Sequence, residues 1–199
     1  MAKFTSVSAL RGATMALAFA GLSACISFGE DPPERLLTLT PTSVAQSGTG
    51  SSGEIENAMA VVPFEAAQRL DVTRVPVHVT DSSLAYLKDA VWVEKPTRLF
   101  ARLVTETIRS KGTRMILDGD MGYTAGTQLS GTLVDMGYNA STSTVTVRFD
   151  AVLRRPDGTV TTRRFEAKEA GVLPEAFPVG EALNRTANTV ANEIADWVG

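Results

Sequence analysis

Gln128-Leu-Ser-Gly-Thr-Leu-Val-Asp-Met-Gly-Tyr138 and Ser143-Thr-Val-Thr-Val-Arg-Phe-Asp-Ala-Val-Leu-Arg154 decide the fold. Both runs alternate apolar and polar residues, the period of a half-buried strand. Asn139-Ala140 supplies turn chemistry between them, which predicts a long antiparallel pair. Pro156-Asp157-Gly158 is a tight turn and predicts a third strand from Val160 to Ala167.

Two helices flank this strand block. Pro96 opens the first, in a helical turn that does not need its missing donor, and the helix runs to about Lys111. Leu99, Phe100, Leu103, Val104, Thr107 and Ile108 fall on one face, and Arg98, Arg102, Glu106 and Arg109 on the other. Gly112 closes it. After a loop through Pro174 and Pro178, a C-terminal helix is expected from about Gly180 to Val198. Its apolar face carries Leu183, Ala187, Val190, Ala191, Ile194 and Trp197. Its wet side carries Asn184, Arg185, Asn188 and Glu193.

Earlier segments read as short strands. Arg35 to Thr40, closed by Pro41, is the first, and Ala58 to Pro63 the second. Ser43 to Glu56 is a Gly/Ser/Thr loop. Phe64 to Thr73 is ambiguous, a turn of helix or an extended link. Val75 to Thr80 alternates, with Pro76 suited to an edge or strand start because it lacks an amide hydrogen. Leu84–Leu87 and Ala90–Val93 flank Lys88-Asp89 as a hairpin or a bulged strand. Thr113 to Leu117 follows the first helix, so strand, helix and strand form a crossover unit. The expected architecture is α/β: one domain, residues 35–199, with a mixed β-sheet packed by two main helices, one of them C-terminal.

The amino-terminal end says where the domain works. Lys3 and Arg11 precede and flank a small, apolar run from Ala13 to Gly21, which ends in Leu22-Ser-Ala-Cys25. A cationic start, an apolar stretch and small residues at a cleavage site are the order of a secretory signal peptide, here residues 1–24. Leu-Ser-Ala-Cys looks like the lipobox of bacterial lipoproteins, in which the Cys thiol takes diacylglycerol, the chain is cut before it and the new terminus is acylated. Cys25 is the only cysteine, so it has no disulfide partner and belongs to no cysteine cluster. A spanning anchor would need ~20 apolar residues, more than this run has. An ordinary secreted protein with a stray thiol, or a cut near Ala20, are the remaining alternatives. Residues 25–34, with Pro32-Pro33, read as a lipidated tether. Ile26 after the cysteine, rather than Asp, favours the outer membrane under the enterobacterial sorting rule. The expected location is periplasm-facing and lipid-anchored.

Composition excludes several functions. The chain carries a formal charge of −3. Loss of Lys3 and Arg11 with the signal takes it to about −5, which gives no electrostatic case for nucleic acid. There is a single histidine, His78, on the polar side of its strand with no Ser, Cys or carboxylate motif near it in sequence. Asp118-Gly-Asp120 begins like a calcium loop but lacks the later oxygen ligands and closing Glu. Gly119, Gly122 and Gly126 are not followed by Gly-Lys-Ser/Thr, so they are no phosphate loop. Asn139 and Asn184 head glycosylation sequons that a bacterial lipoprotein would not ordinarily use. No nucleophile elbow is present. The reading is non-catalytic, with no cofactor and no metal. Trp92 and, earlier on the same stretch, Tyr86 are the remaining candidates. Trp92 is either a core anchor with one polar edge or part of a surface that contacts a partner or an acyl chain.

Taken together, these fragments resemble a known family, the ABC-type transport auxiliary lipoproteins that include the PqiC type. The resemblance runs through Cys25, Leu36-Leu-Thr-Leu-Thr-Pro41, Leu70-Asp-Val-Thr-Arg74 and Val75-Pro-Val-His-Val79. It continues in Leu84-Ala-Tyr86, Trp92-Val-Glu-Lys-Pro96, the helix with Leu99 and Leu103, and Gln128-Leu-Ser-Gly-Thr-Leu133. The Asp150-to-Phe165 hairpin and the Ala195-Asp-Trp197 end also fit. Met136 departs from it, because the family's central strand often has an aromatic there. The resemblance implies an accessory lipoprotein of an MCE-type system, whose permease, ATPase and MCE-domain protein move phospholipids or related lipids between membranes. Its work would be to dock or tether the MCE assembly. The competing readings are a periplasmic lipid carrier with an apolar cavity opening near Trp92, and an envelope hydrolase, which lacks a nucleophile–base set.

Overall fold

The computed structural model describes residues 35–48, 50–112, 114–119 and 125–199. The signal peptide, Cys25, the tether to residue 34, Gly122 and Asp120 lie outside the described residues.

The sheet is organised around one strand. β6 (Thr127–Asn139) runs antiparallel to β7 (Thr144–Arg154) along its whole length, and β7 pairs in turn with β8 (Val160–Ala170). Three short strands line up along the other edge of β6. β1 (Met59–Val61) lies parallel to its start, β2 (Glu65–Ala66) to its middle and β3 (Arg74–Thr80) to its end. β5 (Ile116–Asp118) extends the sheet beyond β1, and β4 (Ser83–Val91) extends it beyond β3. The result is an eight-stranded mixed sheet in a single α/β domain, covered on one face by α1 (Pro96–Ser110) and α2 (Ala176–Val198).

Alternation in β7 builds the core. Val145, Val147, Phe149, Ala151 and Leu153 are buried under the helices, and the residues between them face outward. In β6 the inward set is Leu129 and Leu133, then Met136 and Tyr138. The phase flips because Val134 is an extra residue: Leu133 pairs with Phe149 and Asp135 with Arg148. This bulge turns Asp135 to the outer face. Phe149 meets Phe64 and Phe100 of α1 at ring distances of 4.5 and 5.3 Å. Phe165 of β8 packs edge-on to Trp197 of α2. The expected apolar faces of both helices are the buried ones, and Gly112, at φ 64°, ends α1 in the left-handed region.

Several expectations need correction. Residues 35 to 40 do not form a strand. They make one parallel bridge, Leu37 with Trp92, in which Leu37 N donates to Val91 O and Val93 N to Leu37 O at 2.7 and 2.9 Å. The chain then leaves the sheet to cross the helices. Pro76 is not at an edge: β3 lies between β4 and β6. It is tolerated because the β3–β6 pairing starts one residue later, at Val77, and the β3–β4 register breaks beside it. Lys88-Asp89 belongs to a bulged strand, not a hairpin, with Asp89 at φ 59°. The strands before and after α1 are not neighbours; β4 and β5 lie at opposite ends of the path β4-β3-β6-β1-β5. α2 starts at Ala176, not Gly180, because Pro178 falls in the first turn, where no amide donor is needed. Asn188 is not on the wet side; it is 4% exposed.

Candidate functional site

Two concave regions stand out, one on each side of the sheet. The first is an open groove of about 1240 Å³ between α1, the crossing segment near Leu39 and Pro41, and the β1–β2 connection at Val62-Pro63-Phe64. Its apolar floor carries Leu99 and Leu103 of α1. Its rim is the polar face of the same helix and the residues before it: Arg102 pairs with Glu94, Arg109 with Glu106 at 3.0 Å, and Lys95 with Asp71 at 2.8 Å. The crossing segment is held in place by side chains. Thr40 N donates to Asn184 Oδ1, Thr42 N to Asn188 Oδ1 and Ala45 N to Glu106 Oε1, at 2.8, 2.8 and 2.9 Å.

The second is a polar hollow of about 390 Å³ on the outer face, lined by His78, Asp135, Asn139, Thr146, Arg148 and Lys168 among others. Asp135 is buried there, with His78 Nε2 at 3.5 Å and Arg69 NH2 at 4.0 Å from its Oδ1. Arg69 also donates to Val134 O, the carbonyl freed by the bulge. No carboxylate motif near His78 announces this pair, because the partner lies 57 positions away across the sheet. The signal that could have found it is the phase flip between Leu133 and Met136. Among the described residues no group of three or more His, Cys, Asp or Glu side chains could hold a metal ion.

Paired charges cover the outer face over β7 and β8. Arg164 forks onto Asp150 at 2.6 and 2.7 Å, and this hydrogen bonding holds the Asp150 carboxyl below its usual range. Lys168, then Arg148, do the same to Glu166. On the inner face at the β8 edge, Arg185 of α2 forks onto Glu169, lowering it for the same reason.

The two aromatic candidates differ in exposure. Trp92 is 1% exposed and belongs to the core beside Leu37. Tyr86 is 38% exposed on the outer face of β4, with the Arg74 guanidinium 4.9 Å from its ring centroid. A surface contact on this strand would therefore be made by Tyr86. Cys25 lies outside the described residues. Among those described, no helix is long and apolar enough to cross a membrane.

The domain is therefore of a definite structural class: a mixed sheet with a helical layer on one face, a charge-rimmed groove above α1 and a salt-bridged outer face. No protein-family model and no curated protein matches the chain. Solved structures share its fold. A Xanthomonas campestris protein assigned to the family model DUF330 superposes with a TM-score of 0.70, at 16% identity, over 82% of this chain and 94% of that one. A second, uncharacterized protein gives 0.64 at 10% identity, over 83% and 100%. Lipoprotein GNA1162 of Neisseria meningitidis, 17% identical, covers 68% of this chain and 98% of its own, but at 0.26 does not define a common fold.

Proposed function

We propose that this protein is a non-catalytic accessory lipoprotein of an MCE-type ABC transport system. It is anchored through Cys25 on the periplasmic side of a membrane, the outer membrane by the Ile26 criterion. It acts by docking or tethering the MCE-domain protein and its permease and ATPase. The observation that carries this reading is Leu22-Ser-Ala-Cys25, with the sole cysteine, ahead of a compact α/β domain. The fold shared with the DUF330 protein is compatible with it. A second acyl chain makes such an anchor stable where one chain holds only weakly.

The groove above α1 suits protein contact better than lipid carriage. Its rim of Glu94, Arg102, Glu106 and Arg109 offers charges to a polar partner, whereas an acyl chain would need an apolar enclosure. Trp92, where a carrier's cavity would open, is packed into the core.

The test is purification of the full-length, lipidated protein from native membranes by gentle extraction, with a Cys25→Ser control and mass spectrometry of proteins and lipids. An MCE-domain protein or its ATPase in stoichiometric amount is the expected result. A bound phospholipid with no such partner would replace the accessory reading by the carrier.

A further inference from the structure

The outer sheet face changes character toward β4. Over β7 and β8 it is laced with paired charges; at the β4 edge it exposes large apolar side chains, with Lys88 and Asp89 exposed in the bulge between Tyr86 and Val91. Leu84 and Tyr86 stand opposite His78 and Pro76, on the side to which His78 turns toward Asp135. The β4 bulge then places Val91 opposite Arg74, only two β3 positions from Pro76, so Val91 follows Tyr86 after ~7 Å. The Leu37–Trp92 bridge sets Leu36 beside Val91. Val93 shares their side, because Trp92 between the two valines turns into the core. Leu84, Tyr86, Val93 and Leu36 are 51, 38, 49 and 51% exposed, and they form one stripe.

We infer that this stripe is where the domain rests on the lipid surface that anchors it; the inference depends on lipidation of Cys25. Leu36 is only eleven residues from Cys25, and an extended chain spans at most ~3.3–3.6 Å per residue. The stripe is thus held within ~40 Å of the anchored residue, and one of its members sits where the tether joins the domain. Its chemistry suits an interface. Leucine and valine enter the acyl boundary, and a tyrosine sits at headgroup level. Arg74 over Tyr86, and Arg35 beside Leu36, are exposed cations within reach of lipid phosphate. The mature chain is acidic overall, so anionic lipid repels most of its surface. Contact is then confined to this edge and depends on the anchor.

The cysteine count makes a direct test available. Cys25 is the only cysteine and its sulfur is consumed by lipidation, so an introduced cysteine is the sole free thiol of the mature protein. Leu84→Cys and Val93→Cys, and Thr162→Cys on the outer face of β8 as control, are labelled with a polarity-sensitive fluorophore. Each mature, lipidated protein, with native circular dichroism, is placed in vesicles of phosphatidylethanolamine and phosphatidylglycerol. Emission at 84 and 93 is expected to shift to shorter wavelength than in detergent, with 162 unchanged. Unshifted emission at 84 and 93, with the diacylglyceryl mass present on Cys25, overturns the proposal and leaves the anchor standing. A shift that requires a second copy or an added partner protein also overturns it, by making the stripe a protein interface. Absence of that mass removes anchor and proposal together.

Discussion

Asn188 of α2 treats the backbone at Thr40 and Thr42 as a neighbouring strand would. Its Nδ2 donates to Thr40 O at 2.9 Å, and its Oδ1 accepts from Thr42 N at 2.8 Å and from Thr42 Oγ1 at 3.1 Å. One turn earlier, Asn184 Oδ1 accepts from Thr40 N at 2.8 Å. Two side-chain amides thus satisfy a segment that has left the sheet, and they fasten the first part of the domain to its last helix.

Loss of this clasp should be costly. Each hydrogen bond contributes about 0.5–1.5 kcal/mol net, and the buried Asn188 makes several, so Asn188→Ala should lower unfolding free energy by about 2–3 kcal/mol. Asn184→Ala, which loses from a half-buried site the Thr40 bond and a long one from Asn188 at 3.5 Å, should cost about 1 kcal/mol. Urea unfolding of both variants checks the ranking. Equal, negligible losses would mean that water replaces the amides and that the segment is held by Leu37, Leu39 and the Ala45–Glu106 hydrogen bond.

Gly131 and Gly137 mark two close approaches across β6. A Cβ at Gly131 would lie 2.3 Å from Asp150 O and 2.5 Å from Phe149 Cζ; one at Gly137 would lie 2.6 Å from Pro76 O. The obstacles are mainly backbone, which no rotamer change relieves. Alanine at either site should therefore cost at least the ~1–3 kcal/mol typical of overpacking, with position 131 the worse because the aromatic core must also move. Gly53→Ala, with open space around it, should leave the melting temperature unchanged.

These contacts also explain which parts of the fold the residues alone could announce. α1, β6, β7, β8 and most of α2 are legible because each carries its own period and its own stop signals: Pro96 and Gly112, Asn139, Gly158. What escapes is set by distant partners. Leu36-Leu-Thr-Leu-Thr40 has strand composition, but α2 supplies amides that outcompete a sheet edge for it. Pro76 reads as an edge residue because the nearby Gly137 and the β4 bulge, which make room for it, are remote in sequence or irregular. Asp135 and His78 meet only through the extra residue Val134, which no alternation rule places in advance. Tyr86 and Trp92 share a stretch of chain, yet the bulge and the Leu37 bridge send one outward and the other into the core.

The ion pairs across β7, β8 and α2 give a stability that depends on acid. Asp150, Glu166 and Glu169 are all held below their ordinary values, 3.8 for the aspartate and 4.5 for the glutamates, chiefly by hydrogen bonds from Arg164, Lys168 and Arg185. A carboxyl depressed in the folded state binds protons more readily when unfolded. Its contribution is therefore complete above the ordinary value and is lost as pH falls through the lower, folded one. Urea midpoints should be flat from neutrality to about pH 5 and decline below pH 4. Asp150→Asn should flatten part of that decline while lowering stability slightly at neutral pH. Because these groups are in contact with solvent, added salt should shrink the difference. A decline that is the same in Asp150→Asn would assign the acid sensitivity to other carboxyls.

Trp92 offers a test of how the core meets the bridge to Leu37. The ring is buried, and its Nε1–H finds no acceptor among the described residues. Its backbone, by contrast, is well placed, with Trp92 N donating to Thr73 O at 2.7 Å. Truncation to alanine removes one of the largest buried side chains and should cost about 3–5 kcal/mol. Phenylalanine keeps most of the apolar surface and removes a donor whose unpaired burial costs about 1–3 kcal/mol, so the loss in volume is offset. Trp92→Phe is therefore expected to unfold within about 1.5 kcal/mol of the parent, far from Trp92→Ala. The chain has two tryptophans, so fluorescence of the phenylalanine variant reports Trp197 alone, at its contact with Phe165. An unchanged Trp197 signal beside a small stability loss would confine the effect to the β4 end. A loss as large as that of alanine would mean that the indole's shape, not its apolar area, holds Leu37 and the crossing segment against the sheet.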